Sequence, residues 1–204
     1  TRWWALPRSR NTSSVWIDQK NAQYEIAKKT ILGNESCTKV LYIAGDKKSF
    51  VTGERIAGMK KLAEELALEL TIEYGDFSEK KARELTFSYA DRMDVFVCAS
   101  DLMAIGAMRA LRESGRSIPE DCSIIAIDGI SVSEYIHPML TTLCQPMTAM
   151  GEASVEILLD IIEGRGVHRH VTLPTALREG ASVRQPKHRF SRGNPRENKF
   201  EKEY

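Results

Sequence analysis

Polar side chains recur in this sequence directly after apolar runs, or at the start of the helical patterns that follow them. The clearest case is the run Val95–Cys98, which leads through Ala99 into Ser100 and Asp101. The full set is Asp46 to Ser49, Arg55, Asp76, Phe77, Ser100, Asp101, Asp128 and Gln145. Carboxylates accept hydrogen bonds from hydroxyl groups, a guanidinium donates them, and an aromatic ring stacks on the C–H face of a sugar. The set therefore predicts a site for a small polyhydroxyl ligand.

Taken one at a time, these residues have simpler explanations. Asp101 is also a good helix N-cap, and Arg55 a good solvated residue of a first helical turn. Phe77 could pack in the core, Asp128 with the glycine after it is a common turn pair, and Gln145 could bind a backbone group. The prediction of a site depends on all of them lying at one edge of a sheet.

The elements that would place them there alternate between strand and helix. Apolar runs predict strands at 14–17, 39–44, 71–74, 95–98, 123–127, 141–144 and 170–174. Asp18 and Ser78 are predicted helix N-caps, and Pro146 is suited to the first position of another helix. That last helix should bury Val155, Leu158, Leu159 and Ile162. The alternation predicts an α/β fold with a doubly wound parallel sheet, in which the carboxyl ends of the strands share one edge.

Composition excludes several classes of protein. The chain has 204 residues and a net charge of +1, which argues against a domain built mainly to bind nucleic acid. No apolar run approaches the roughly 18 residues of a membrane span, so we expect no membrane partner. The cysteines are scattered and are interpreted as reduced thiols of a cytoplasmic protein. They are Cys37, Cys98, Cys122 and Cys144.

Signals for catalysis are weak. The sequence has no G-x-S-x-G, Walker A or H-E-x-x-H motif, and no nucleophile beside an oriented base. His168 and His170 are interpreted as a surface pair, because no third metal ligand lies near them in the sequence. We therefore expect no enzyme activity, no cofactor and no metal site.

In order and spacing, these motifs resemble the effector-binding domain of LacI/GalR-type transcriptional regulators from about Ser14 to Val183. The strongest match runs from Val97 to Leu111 and continues through Gly115, Ile118 to Asp121, and Ser123 to Gly129. Supporting matches are Arg55 to Gly58, Gly75 to Phe77, Leu140 to Met147, Gly151, Leu173 to Thr175, and Leu177 to Glu179.

The resemblance implies a type I periplasmic-binding-protein-like, flavodoxin-like lobe, mostly the C-terminal subdomain. It implies ligand contacts from Arg55, Phe77, Ser100, Asp101, Asp128 and Gln145. Ser100 stands where the family often has Asn, and Gly129 replaces a second acidic residue. It also implies a homodimer interface on the helix after Ser100, with Leu102, Met103, Gly106, Arg109 and Ala110.

The same resemblance divides the chain. The divisions are 1–13 as a remnant of a first lobe, 14–145 as the C-terminal lobe, 146–170 as a helix and crossover of the first lobe, 171–185 as the return strand and end of the domain, and 186–204 as a disordered tail. The DNA-binding headpiece and most of the first lobe are expected to be missing from this chain. The helix at 147–163 should then carry an apolar face that nothing covers.

The expected function is a module of a LacI-family regulator that senses a sugar or a similar small polar effector and dimerises, contacting operator DNA only through the missing headpiece. One alternative is a stand-alone carbohydrate-binding protein. Another is an enzyme or phosphorylation receiver on a flavodoxin-like sheet, with Asp101 or Asp128 as nucleophile or metal ligand.

Overall fold

The computed structural model describes residues 12–33, 37–165 and 169–184. The elements are β1 (Ser14–Trp16), α1 (Gln19–Leu32), β2 (Lys39–Ala44), α2 (Phe50–Leu66), β3 (Glu69–Tyr74), α3 (Glu79–Phe87), β4 (Val95–Cys98), α4 (Asp101–Glu113), β5 (Ser123–Asp128), a 3-10 turn (Ser131–Glu134), β6 (Thr141–Cys144), α5 (Met147–Ile162), β7 (His170–Thr172) and β8 (Ala176–Arg178). Residues 1–11, His168 and the expected disordered tail at 186–204 lie outside the described ranges.

Six strands form the main sheet, in the order β3-β2-β4-β5-β6-β8. The first five are parallel, and β8 pairs antiparallel with β6. From β2 the chain moves to β3 on one side and then to β4, β5 and β6 on the other, which is the flavodoxin-like order. The predicted doubly wound parallel sheet is confirmed, and the strand order reverses between β2 and β4.

The core lies on both faces of this sheet. Residues 40–44 of β2 and all of β4 are buried, as expected for parallel strands covered on both sides. Helix α1 packs on α2, and α3 packs on α4. Right-handed connections place α2 on one face and α3 with α4 on the other. Within the described ranges, no helix has the length and apolar character to cross a membrane.

A separate two-stranded sheet pairs β1 with β7. The Trp16 indole Nε1 donates to Thr172 Oγ1 at 2.7 Å, and α5 packs against β1. β1 lies in the expected 14–145 division and pairs with the strand that follows α5. The expected 171–185 segment is also divided, because β7 lies in the small sheet and β8 in the large one.

Helix α4 is covered by α3 on much of its surface, which corrects part of the expected dimer interface. Met103 and Ala110 are completely buried. A Cβ atom on Gly106 would lie 2.2 Å from the Glu79 carbonyl oxygen, so the two helices approach closely there. These three residues are buried within the chain itself. Leu102 and Arg109 are exposed and remain available to a partner.

Helix α5 exposes its apolar residues, although the sequence pattern predicted that four of them would be buried. Leu158 is 55% exposed and Ile162 is 70% exposed. Val155, Leu159 and Ile161 are exposed as well, whereas Ile157 is buried. The uncovered apolar face that the resemblance implied is therefore present on this helix.

We expect the chain to self-associate through this face, and replacing both Leu158 and Ile162 by glutamate should weaken the association at least about tenfold. Each glutamate would place a charge where an apolar contact forms. Sedimentation velocity over a concentration series measures the effect. Leu32→Glu is the control, because Leu32 is a similarly exposed leucine on α1. An equal effect of both changes would place the association elsewhere.

Candidate functional site

Arg55 lies at the point where the strand order reverses. It is 3% exposed, so the solvated position that the sequence also allowed is wrong. Its Nε donates to Gln19 Oε1 at 2.8 Å, and its Nη1 donates to the Ala99 carbonyl at 2.6 Å. The side chain thereby joins α1, α2 and the carboxyl end of β4. Nη2 meets no acceptor among the residues that the structure describes.

Burial and neighbouring groups shift the pKa of Arg55 in opposite directions. Burial lowers the pKa of the Arg55 guanidinium, whereas Tyr42 and Asp128 raise it. A guanidinium remains charged at neutral pH even when partly desolvated. The site therefore holds a fixed positive charge near the carboxylate of Asp128.

Asp128 and Gln145 meet beside this charge at the ends of β5 and β6. The Gln145 side-chain amide donates to Asp128 Oδ1 at 2.7 Å. Burial raises the pKa of Asp128 to about 6, although Arg55 and Gln145 act in the opposite direction. Asp128 also has a φ angle of +141°, which is rare for a residue with a side chain. Strained backbone of this kind is concentrated at functional sites.

Phe77 reaches the same edge of the sheet from the turn after β3. The Ser78 amide donates to the Gly75 carbonyl, and both residues between them have positive φ angles. This turn brings the Phe77 ring over Gly45 at the end of β2, so close that a Cβ there would lie 2.0 Å from the ring. Phe77 is 37% exposed, so it keeps surface for a ligand and is not simply part of the core.

Ser100 and Asp101 make structural hydrogen bonds within the protein, whereas both were expected from the sequence to contact the ligand. The Ser100 hydroxyl accepts from the Met103 amide at 3.2 Å, so Ser100, and not Asp101, is the N-cap of α4. The Asp101 carboxylate is completely buried and accepts hydrogen bonds from protein groups on both oxygens. It is therefore not accessible as a ligand contact, a nucleophile or a metal ligand in this structure.

The remaining acidic residues of the predicted set make local contacts. Asp46 Oδ1 accepts from the Lys48 amide at 2.7 Å, and Asp76 forms an ion pair with Lys81 at 2.5 Å. The structure thus brings Arg55, Asp128 and Gln145 together. Sequence reasoning missed Gln19, which lies 36 positions from Arg55, since no local motif connects them.

A cavity of about 400 Å³ lies away from this edge of the sheet, between the end of α1 and β8. Its lining includes Lys29, Leu177 and Arg184 and none of the predicted site residues. We place the candidate site at the strand ends because the charged and strained residues meet there.

Comparison with known proteins identifies the family. Residues 31–183 match the model of the periplasmic binding protein-like domain. The lactose operon repressor of Rhizobium radiobacter is 41% identical over 95 residues, covering 47% of this chain and 84% of that protein. The HTH-type transcriptional repressor PurR of Vibrio vulnificus is 34% identical over 155 residues, covering 73% of this chain and 46% of that protein.

Solved structures agree with this assignment. A LacI family transcriptional regulator from Enterococcus faecium with bound ribose has a TM-score of 0.77 and 27% identity, over 88% of this chain and 68% of that one. The chain spans about half the length of most of the curated relatives that it matches. The chain therefore belongs to the periplasmic binding protein-like domain family, and within it to the LacI-family transcriptional regulators.

Proposed function

We propose that this chain is the effector-sensing module of a LacI-family regulator, and that a neutral sugar binds at the strand ends to Arg55, Phe77, Asp128 and Gln145. The observation that carries the proposal is the buried Arg55 beside the half-buried Asp128. Two protein acceptors hold Arg55, and its Nη2 donates to none of the described residues. A fixed donor beside a fixed acceptor suits the vicinal hydroxyls of a sugar.

Charge balance supports a neutral polyol over an anion. Asp128 opposes the positive charge of Arg55, so an anionic ligand would meet a carboxylate at the same place. The exposed part of the Phe77 ring offers an apolar surface for the C–H face of a sugar. Two relatives carry sugars in their names, ribose in the Enterococcus faecium structure and lactose in the Rhizobium radiobacter repressor.

In this proposal the sugar acts as a switch. It would bind one arrangement of the whole regulator better than another, and the difference in affinity would shift the population that contacts operator DNA. Leu102 and Arg109 are the exposed α4 residues that we assign to a homodimer interface. Operator contact is assigned to a headpiece outside this chain.

The test is calorimetric titration with D-ribose and with lactose. We expect at least one of them to bind, and Gly45→Ala to weaken that binding about tenfold, because the added methyl group would displace the Phe77 ring from its place over Gly45. Gly53→Ala is the matched control, since a Cβ at Gly53 has open space around it. Equal affinity in both variants would remove Phe77 from the site.

A further inference from the structure

Asp101 and Arg178 both bind the backbone of the loop after β5. Asp101 Oδ2 accepts from the backbone amides of Gly129 at 3.0 Å and Ile130 at 2.9 Å. The Arg178 guanidinium donates to the carbonyl oxygens of the same two residues, at 3.4 and 3.2 Å. The N–H and C=O groups of two successive residues are therefore both bound by side chains from other elements.

Two hydroxyl groups complete this loop clamp, which we define as Asp101, Ser133, Thr142 and Arg178. The Ser133 hydroxyl donates to Asp101 Oδ2 at 2.9 Å and accepts from Arg178. The Thr142 hydroxyl donates to Asp101 Oδ1. Because a buried carboxylate is stable only when it is fully hydrogen-bonded, this arrangement makes Asp101 a strong anchor for the loop.

The clamp begins one residue after Asp128. The Asp128 backbone carbonyl accepts from the Gln145 backbone amide at 3.1 Å, so the pairing of β5 with β6 holds the backbone up to Asp128. The loop is held from Gly129 onward, where φ is +77° and a Cβ would lie 2.5 Å from Cys144 Sγ. Asp128 lies between these two fixed parts with its φ of +141°, a strained conformation that persists only when its surroundings impose it.

We propose that Asp101 and Arg178 are positioning residues that set the affinity of the module for its sugar by fixing the backbone of Asp128, without touching the sugar. This inference rests on the proposed function, because it assigns Asp128 to the sugar site. It differs from the expectation that Asp101 contacts the ligand directly.

Asp101→Asn tests the proposal with two measurements. The asparagine keeps the size of the side chain and removes the charged acceptor shared by Gly129 and Ile130. Hydrogen exchange at these two amides should become at least about tenfold faster, since each amide would lose its hydrogen bond to a charged acceptor. The Kd of whichever of D-ribose and lactose binds the unmodified chain should rise by a similar factor.

Asp94→Asn is the matched control. Asp94 Oδ2 also accepts from two successive backbone amides, those of Thr38 at 2.9 Å and Lys39 at 2.8 Å, but at the opposite edge of the sheet. This change should speed exchange at Thr38 and Lys39 and leave the Kd for the sugar unchanged. Arg178→Lys is the second variant, to be used if Asp101→Asn does not fold. Lysine keeps the positive charge but cannot donate to the Gly129 and Ile130 carbonyl oxygens from two nitrogens at once, so the Kd should rise severalfold.

Each outcome is decisive. Faster exchange at Gly129 and Ile130 together with weaker sugar binding supports the proposal. Faster exchange with an unchanged Kd overturns it, and so does weaker binding with unchanged exchange, which would make Asp101 a direct contact. If neither sugar binds the unmodified chain, the proposed function fails on that result, while unchanged exchange in Asp101→Asn would overturn the clamp by itself.

Discussion

Replacing Arg55 by alanine should weaken sugar binding at least about 100-fold, close to 3 kcal/mol, and also lower stability. The change removes the donor assigned to the sugar and leaves Gln19 Oε1 and the Ala99 carbonyl without their partner. It also takes the nearby positive charge away from Asp128. Titration calorimetry and thermal melting measure the two effects separately.

Two variants separate the roles of Arg55. Arg55→Lys keeps the charge but cannot reach both Gln19 and Ala99 with a planar fork, so we expect an intermediate affinity. Arg83→Ala removes a surface arginine that is paired with Glu113 and should leave the affinity unchanged. If Arg55→Ala melts at a lower temperature but binds sugar normally, the residue is structural and the proposed site is wrong.

Sugar affinity should fall as the pH is lowered through about 6, by up to about tenfold for each pH unit below that value. The physical reason is that a carboxylate accepts two or more hydroxyl hydrogen bonds, whereas a protonated carboxyl group loses acceptor strength. Burial raises the pKa of Asp128 to about 6, with Arg55, Gln145 and the Asp101 carboxylate facing it. Calorimetry between pH 5 and pH 8 would show the dependence.

The titration of Asp128 should change the stability of the fold with pH in the opposite direction, so that stability is higher at low pH. Because the pKa of Asp128 is raised in the folded protein, its contribution to stability is present below its ordinary pKa and is lost as the pH rises through about 6. Asp128→Asn should therefore abolish the pH dependence of sugar binding and leave the melting temperature at pH 7.5 equal or higher. A variant that keeps the pH profile would show that another group titrates.

Local signals in the sequence were sufficient to predict the helices and every strand except β8, and to place the candidate site at one edge of the sheet. Asp18 and Ser78 are N-caps as predicted, because a cap depends on residues within one helical turn. The fully apolar runs at 40–44 and 95–98 predicted buried parallel strands, since both of their faces are covered. The alternation of strand and helix then brings Arg55, Asp128 and Gln145 to one edge.

The sequence by itself thus determined the helices, the strands other than β8, the N-caps Asp18 and Ser78, and the edge where the candidate site lies. Only the tertiary structure decided that β1 pairs with β7, that α4 turns Gly106 toward α3, and that Asp101 anchors a loop while Ser100 caps the helix. Caps and strand periodicity depend on neighbours a few residues apart, whereas the partners of Asp101 lie 28 to 41 positions away. A carboxylate suited to a ligand and one suited to a buried anchor look alike in sequence, and packing alone distinguishes them.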